Sequence, residues 1–511
     1  MKIKSIILSV LFLLFTGLVY AQDNFLPPTD AQFKQIINDF DNFTEKTRQD
    51  FKIPGMAIGI VKDGTIIFAK GYGVKTQGSN DKVDENTLFQ IGSTSKAFTA
   101  TLTAMLVDEK KIKWDDRVID HDQDFMMYDP WVTREFQIYD LMSQHSGLPA
   151  YSADTLFFLG FDREYIRNAI RYIKPVTSFR SKFAYQNGLW LYVSKIIEKY
   201  YGKKWEQLVN EKIFKPLNMT DSSCDMESFI NSKNSSSYHY SEKGKIIALE
   251  KNWKFGYWSY TAGPAGGINS NIEDMSKWLI FQMNEGKIGE KQIVSKESFQ
   301  AIHTPKTNIL FSSEQDKNIY YCMGWMYQEH KPYPIIWHNG GTLMKTMLAY
   351  IPEQKIGIVI LSNYVTDLPE QLASRFFKAY SLLSVKDIDN NIQKELDEIK
   401  KDELNAEKTL KPEEILNPMD DDKYTGEFYN AIYGKITIKN INGKLNIDIG
   451  PNKVNILLKH FNGNVFTAKW PFYDESDGQS YAILTQNPDG TILNVRLTNI
   501  DQDNDMGLFN K

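Results

Sequence analysis

Ser93-Thr94-Ser95-Lys96-Ala97-Phe98-Thr99-Ala100 places a hydroxyl and an amine three residues apart at the start of a helical run. Three residues is close to one turn, so both side chains share a face. A serine hydroxyl is a poor nucleophile at neutral pH and needs a base within hydrogen-bond reach. Lysine serves if burial disfavours its charged form. The positive end of the helix dipole favours an oxyanion at the same place. Alone, the tetrapeptide also recurs by chance as a solvated Ser and Lys on a helix, so the rest of the chain must decide its meaning.

Outward from it, Met56 to Lys62 and Thr65 to Gly71 read as a hairpin turning at Asp63-Gly64. Phe98, Leu102, Met105 and Leu106 continue a helical pattern beyond Lys96. Leu189, Val193, Ile196 and Ile197 predict an amphipathic helix ending near Gly202. Ser270 and Glu273 form S-x-x-E, a capping box ahead of Met275 to Met283. Met347 to Ile351 and Ile356 to Leu361 flank a turn at Pro352 to Lys355. Strands at both ends with helices between predict one α+β domain closed by its first and last strands.

The composition shifts after that. Residues 386–410 are highly charged, with Ile388, Ile392, Leu396 and Ile399 at helical spacing, which predicts a connecting helix. After Lys423 short alternating runs (Lys435 to Lys439, Lys444 to Ile449, Val454 to Leu458) are split by Asn442-Gly443, Gly450-Pro451 and Asn462-Gly463. That texture predicts a small antiparallel barrel or sandwich.

The chain has 511 residues, enough for two or three domains. Lys2, Lys4, the apolar run Ile6 to Val19 and Val19-Tyr20-Ala21 predict a signal peptide over residues 1–21. The apolar run is short for a membrane anchor. Removing Lys2 and Lys4 takes the formal charge from −5 to −7, which argues against a general nucleic-acid binder. Of the two cysteines, Cys224 and Cys322, export permits a disulfide, and two unpaired buried thiols are equally compatible. Neither H-E-x-x-H nor paired C-x-x-C occurs, so no metal or other cofactor is expected.

Two further clusters carry chemistry. Tyr185-Gln186-Asn187 precedes the amphipathic helix. A tyrosine beside an ammonium can have its pKa lowered and relay a proton, and an asparagine amide both donates and accepts. A loop tyrosine with a helix N-cap asparagine is the plainer alternative. His338-Asn339-Gly340-Gly341-Thr342 follows Pro334 to Trp337. It reads either as a hairpin turn or as an exposed strand start whose glycines let a substrate approach the backbone.

Ser93-Thr94-Ser95-Lys96, Tyr185-Gln186-Asn187 and His338-Asn339-Gly340, in this order, resemble the S-x-x-K, Y-x-N and K-T-G or H-x-G motifs of the class C β-lactamase and penicillin-binding serine hydrolase superfamily. Flanking stretches share the likeness: Ile53 to Met56, Leu141 to Pro149, Lys215 to Met219 and Ala265 to Ser270. The resemblance implies an antiparallel sheet flanked by helices plus a helical subdomain, over residues 22–385. It implies catalysis by Ser93, Lys96 and Tyr185 through an acyl-enzyme, with Asn187, His338, Asn339 and Gly340 binding substrate. The N–H groups of Ser93 and Gly341 would form the oxyanion hole.

His338 departs from the lysine of K-T-G, and Asn339 from its threonine. Histidine near neutral pH is mostly uncharged, so a substrate carboxylate loses its fixed partner. His338 is expected to line the pocket, and a lysine there to raise affinity for carboxylates. The implied activity is hydrolysis of an amide, peptide or ester bond, of esterase or D-amino-acid-peptidase type ahead of a β-lactamase. The alternative is a catalytically silent binding protein for peptidoglycan-type peptides. No G-x-S-x-G elbow supports an α/β-hydrolase. Residues 418–511, opening on Tyr424-Thr425-Gly426-Glu427-Phe428-Tyr429, resemble the lipocalin-like β-barrel appended to such hydrolases, after a charged helical linker over 386–417. Such barrels border active sites or support oligomers in related proteins, so a homo-oligomer is compatible with it. The expected partner is a small-molecule or peptide substrate, with no stable membrane anchor after signal cleavage and a periplasmic or secreted location.

Overall fold

A computed structural model describes residues 27–242, 244–312, 317–330, 332–405, 414–472, 479–501 and 505–511, so the signal-peptide segment lies outside the described residues. Eight strands build the main sheet: β1 (Gly55–Lys62), β2 (Thr65–Gly73), β3 (Thr307–Ser312), β4 (Lys317–Tyr321), β5 (Met326–Gln328), β6 (Ile335–Gly341), β7 (Lys345–Ile351) and β8 (Ile356–Ser362). Their order is β2-β1-β8-β7-β6-β5-β4-β3, antiparallel throughout. The amino-terminal hairpin therefore pairs with the last strand, as expected. Asp63 (φ 50°) and Gly64 (φ 78°) make the turn with both residues left-handed, the geometry that matches strand twist.

Helices cover both faces. In chain order the helices used below are α1 (Asp30–Asp50), α2 (Ser95–Asp108), α3 (Asp154–Leu159), α4 (Trp190–Tyr201), α5 (Ile272–Met283), α6 (Leu368–Tyr380) and α7 (Lys386–Asn405). Met56, Ile58 and Ile60 of β1 pack with Phe40 of α1 and with Leu372 and Phe376 of α6. Ala57 and Val61 point the other way, into the core shared by α2 and α5. With both faces covered, β8 is buried along its whole length, which is why it reads as a continuous apolar run.

Helix α2 is buried on every side from Ser95 to Leu106, so its apolar pattern is wider than one amphipathic stripe. Phe98 stacks on Trp278 of α5 at 3.8 Å between ring centroids. Helix α4 ends at Gly202, left-handed at φ 66°, as its sequence predicts. The cap of α5 differs from expectation. Asn271, not Ser270, accepts from Asp274 N at 2.9 Å, because Ser270 is held in a two-residue ribbon with Phe89. Helix α7 is docked on the domain: Ile392 and Leu396 are buried against the core under α6, and Arg375 Nε donates to Asp389 Oδ1 at 2.8 Å.

Eight antiparallel strands from Gly426 to Asn510 close into a barrel. Phe428, Ile436, Ile447, Ile456, Phe466, Leu484, Val495 and Phe509 are buried in it. The barrel seats on α3: Asn452 N donates to Leu159 O at 3.1 Å, and Phe472 stacks on Phe158 at 4.9 Å. Cys224 and Cys322 are both buried and unpaired with each other. Among the described residues no helix is long and apolar enough to cross a membrane.

Candidate active site

The chain enters α2 through a 3-10 turn at Gly92–Thr94. Gly92 is left-handed at φ 52°, and a Cβ there would sit 2.8 Å from Gly341 N. On the facing strand a Cβ on Gly340 would sit 2.0 Å from Ile91 O and 3.1 Å from Ser93 N. Two glycines thus let the end of β6 press its backbone on the Ser93 turn, which no pair of side-chain-bearing residues permits. Gly341, the next residue, opens to free space and lines the same cleft as Ser93.

Lys96, the second residue of α2, is fully buried. Its Nζ reaches Ser93 Oγ at 3.2 Å, Asn187 Oδ1 at 2.6 Å and Ala265 O at 2.9 Å. Loss of hydration pushes its pKa down to about 7, with the carboxyl of Asp154 pulling the other way.

Tyr185 and Asn187 are set by the stretch Leu141 to Pro149. Gln144, left-handed at φ 59°, clamps the backbone of Gln186: it accepts from Gln186 N at 2.6 Å and donates to Gln186 O at 3.1 Å. Tyr151 N donates to Tyr185 O at 2.7 Å. Lys96 Nζ lies over the Tyr185 ring, 4.8 Å from its centroid, rather than beside the hydroxyl. The expected lowering of the Tyr185 pKa is accordingly absent. Burial, with Tyr321 adding to it, holds the phenol well above its ordinary value, and the nearby Ser93 hydroxyl opposes only part of this. Asn187 caps no helix: its Oδ1 accepts from Lys96, and its Nδ2 donates to Asp154 Oδ2 at 2.6 Å.

Strand alternation decides the third motif. Trp337, Asn339 and Gly341 face the cleft. His338 and Gly340 face away from it. His338 is completely buried, with Nε2 3.1 Å from Tyr321 Oη and Nδ1 2.5 Å from Asn339 O. Burial, then the charge on Lys96, pushes its pKa down to about 3, so it stays neutral. His338 is therefore a wall behind Tyr185 and not the pocket-lining residue that the sequence suggested. Gly340 is likewise corrected: its close approach is to the backbone of Ile91 and Ser93 and it faces away from the cleft. Asn339 Nδ2 donates to Glu370 Oε1 at 2.8 Å.

Several residues at the site carry no sequence signal. Asp154 lies in Ser152-Ala153-Asp154-Thr155, an ordinary turn by composition, yet it contacts Asn187 33 positions away. Burial pushes its carboxyl up to about 7, with the Asn187 bond and Lys96 opposing. Lys345, on β7 opposite Gly341, lines the cleft with Nζ 2.8 Å from Glu370 Oε1 and 3.1 Å from Asp367 Oδ1. Tyr151, Phe183, Trp258, Ile309, Ile319 and Met326 complete walls around about 460 Å³. A larger hollow of about 580 Å³ beside Glu206, Asp221 and Cys224 contains none of the motif residues. Among the described residues no cluster of His, Cys, Asp and Glu is arranged to hold a metal.

The beta-lactamase family model matches residues 40–379. Unguisins hydrolase ungD' of Aspergillus campestris (strain IBT 28561) is 27% identical over 444 residues, covering 80% of this chain and 78% of its own. Protein flp of Staphylococcus aureus (strain NCTC 8325 / PS 47) is 25% identical over 354 residues, covering 67% of this chain and 68% of its own. The octameric penicillin-binding protein homologue from Pyrococcus abyssi shares the fold, with a TM-score of 0.60 at 20% identity over 90% of this chain and 98% of that one. Its agreement extends beyond the sheet and helices, since the coverage takes in the carboxy-terminal region too. By the span of the family match, and with the three motifs drawn into one cleft, the chain belongs to the beta-lactamase family.

Proposed function

We propose that the protein is a serine hydrolase that cleaves an ester or amide bond of a largely apolar, carboxylate-free substrate through a Ser93 acyl-enzyme. The observation that carries this reading is the bonding of Lys96. Its two shorter contacts, to Asn187 Oδ1 and Ala265 O, take two N–H groups and leave the third direction for Ser93 Oγ. In the neutral amine that direction holds the lone pair, so Lys96 accepts the Ser93 proton as Oγ attacks the carbonyl carbon. The N–H groups of Ser93 and Gly341 receive the oxyanion. Tyr185, kept protonated by burial, gives its phenolic proton to the leaving nitrogen or oxygen. Because Lys96 faces the ring and not the hydroxyl, the proton that Lys96 took from Ser93 returns to Tyr185 by way of the water that enters the cleft. Water then attacks the acyl carbon by the same path reversed, releasing the acid and Ser93.

The cleft supports the substrate class. Trp258, Trp337, Phe183, Ile309, Ile319 and Met326 offer apolar contact. Lys345 is already paired with Glu370 and Asp367 and offers a carboxylate no uncompensated charge. This favours esters and the amides of D-amino acids, which have no free carboxylate, over carboxylate-bearing β-lactams. Similarity to a protein named as a hydrolase supports an enzyme over a silent binding protein. Export is part of the same reading and rests on Lys2, Lys4 and the apolar run Ile6 to Val19. Labelling with a fluorophosphonate probe tests it: the wild type is modified at Ser93, and Ser93→Ala is folded and unlabelled. Ester turnover retained by Ser93→Ala would refute the nucleophile assignment.

A further inference from the structure

Asp154 stands outside the serine–lysine–tyrosine chemistry but shares its floor. It begins α3 after Ala153, which turns the chain at φ 68°. One amide joins it to the base: Asn187 Nδ2 donates to Asp154 Oδ2, and Asn187 Oδ1 accepts from Lys96, each at 2.6 Å. The amide is oriented from both ends, because reversing it would set N–H against ammonium and C=O against carboxylate. The second oxygen of Asp154, Oδ1, is shielded from solvent and has no hydrogen-bond partner among the described residues.

We propose that Asp154 is a positioning residue of the reaction centre, acting through the Asn187 amide to hold Lys96 against Ser93 and fixing the pH at which Lys96 becomes a free base. This rests on the serine hydrolase reading above. A carboxylate and an amine buried together stabilise each other's charged forms, so removing the carboxylate charge releases the lysine proton more readily. Other groups facing Lys96 are the ring faces of Tyr185 at 4.8 Å and Trp190 at 5.8 Å, the carbonyl of Ala265, and His338 from β6. Tyr151 and Tyr185 face Asp154. Burial holds both phenols above their ordinary range and His338 below its own, so all three are neutral near pH 7. Asp154 is thus the group whose ionised form answers the charge of Lys96. Because burial pushes its carboxyl up to about 7, it does so over the pH range in which Lys96 itself titrates.

Asp154→Asn keeps size and an acceptor for Asn187 while removing charge. The readout is the second-order rate of Ser93 labelling by a fluorophosphonate, followed from about pH 5 to pH 9. The acid limb of Asp154→Asn is expected to lie about one pH unit below that of the wild type, with the plateau within about threefold. Asp154→Ala, which leaves Asn187 unanchored, is expected to lose about tenfold or more on the plateau. If Asp154→Asn does not fold, as judged by circular dichroism, Asp154→Ser removes the same charge and is expected to shift the limb likewise. A neutral variant whose acid limb coincides with the wild type overturns the proposal, whether its plateau falls or not. Failure of the wild type to label at all overturns the hydrolase reading itself, and this role with it.

Discussion

Gly340→Ala tests whether the packing of β6 on the Ser93 turn sets the rate. The new Cβ would lie 2.0 Å from Ile91 O and 3.1 Å from Ser93 N. An unstrained contact needs about 3.5 Å, so β6 and the turn must separate by roughly 1.5 Å. Both contacts are backbone, so no side chain can swing aside. A displacement of about 1 Å at reacting atoms costs about a hundredfold in rate, or about 2.7 kcal/mol of barrier. The overpacking should also cost about 1–3 kcal/mol of stability. We therefore expect Gly340→Ala to lower kcat on a nitrophenyl ester by about a hundredfold. The melting temperature should fall by several degrees while the protein stays folded. Gly341→Ala is the internal comparison, since its Cβ enters open space and should leave stability unchanged. Wild-type kcat in Gly340→Ala would refute the argument that this contact aligns Ser93 with its oxyanion donors.

Three further outcomes follow from the same geometry. The wild-type rate should rise with pH along an acid limb near 7, since Lys96, pushed down to about 7, must lose its proton to act as base; His338 stays neutral and adds no second limb, so a profile flat from about pH 5 to pH 8 would contradict the assignment. His338→Lys should destabilise the protein by about 3 kcal/mol or more without gaining carboxylate affinity, because the ammonium would enter a fully buried site beside Lys96; tighter binding of a carboxylate substrate at unchanged melting temperature would show that position 338 reaches the cleft. Phe472→Ala should raise KM several-fold with a smaller change in kcat, because Phe158 lies between Phe472 (4.9 Å) and the cleft-wall Trp258 (4.8 Å). An unchanged KM would show that the barrel does not support that wall.

Much of the architecture was legible because it follows from local periodicity. The hairpin at Asp63-Gly64, the helix ending at Gly202 and the final hairpin around Pro352 to Lys355 are each written in a few consecutive residues. Boundaries that depend on neighbours were not. Ser270 carries the better capping-box pattern, but its pairing with Phe89 passes the cap to Asn271. The charged segment after 386 reads as a connecting helix with a narrow apolar stripe, and only the face of α6 shows what Ile392 and Leu396 pack against.

By itself the sequence determined the fold class and singled out the candidate residues for the chemistry. Helical spacing ties Ser93 to Lys96, and the order of the three motifs ties both to Tyr185 and Asn187. Tertiary structure decided what each group is able to do. Whether a strand residue faces the cleft depends on register across the sheet, and that turned His338 into a buried neutral wall while giving Asn339 and Gly341 to the cleft. Whether a lysine is a base depends on desolvation and on charges brought from elsewhere in the chain. Asp154, which no spacing connects to Lys96, reaches it only through the folded amide of Asn187.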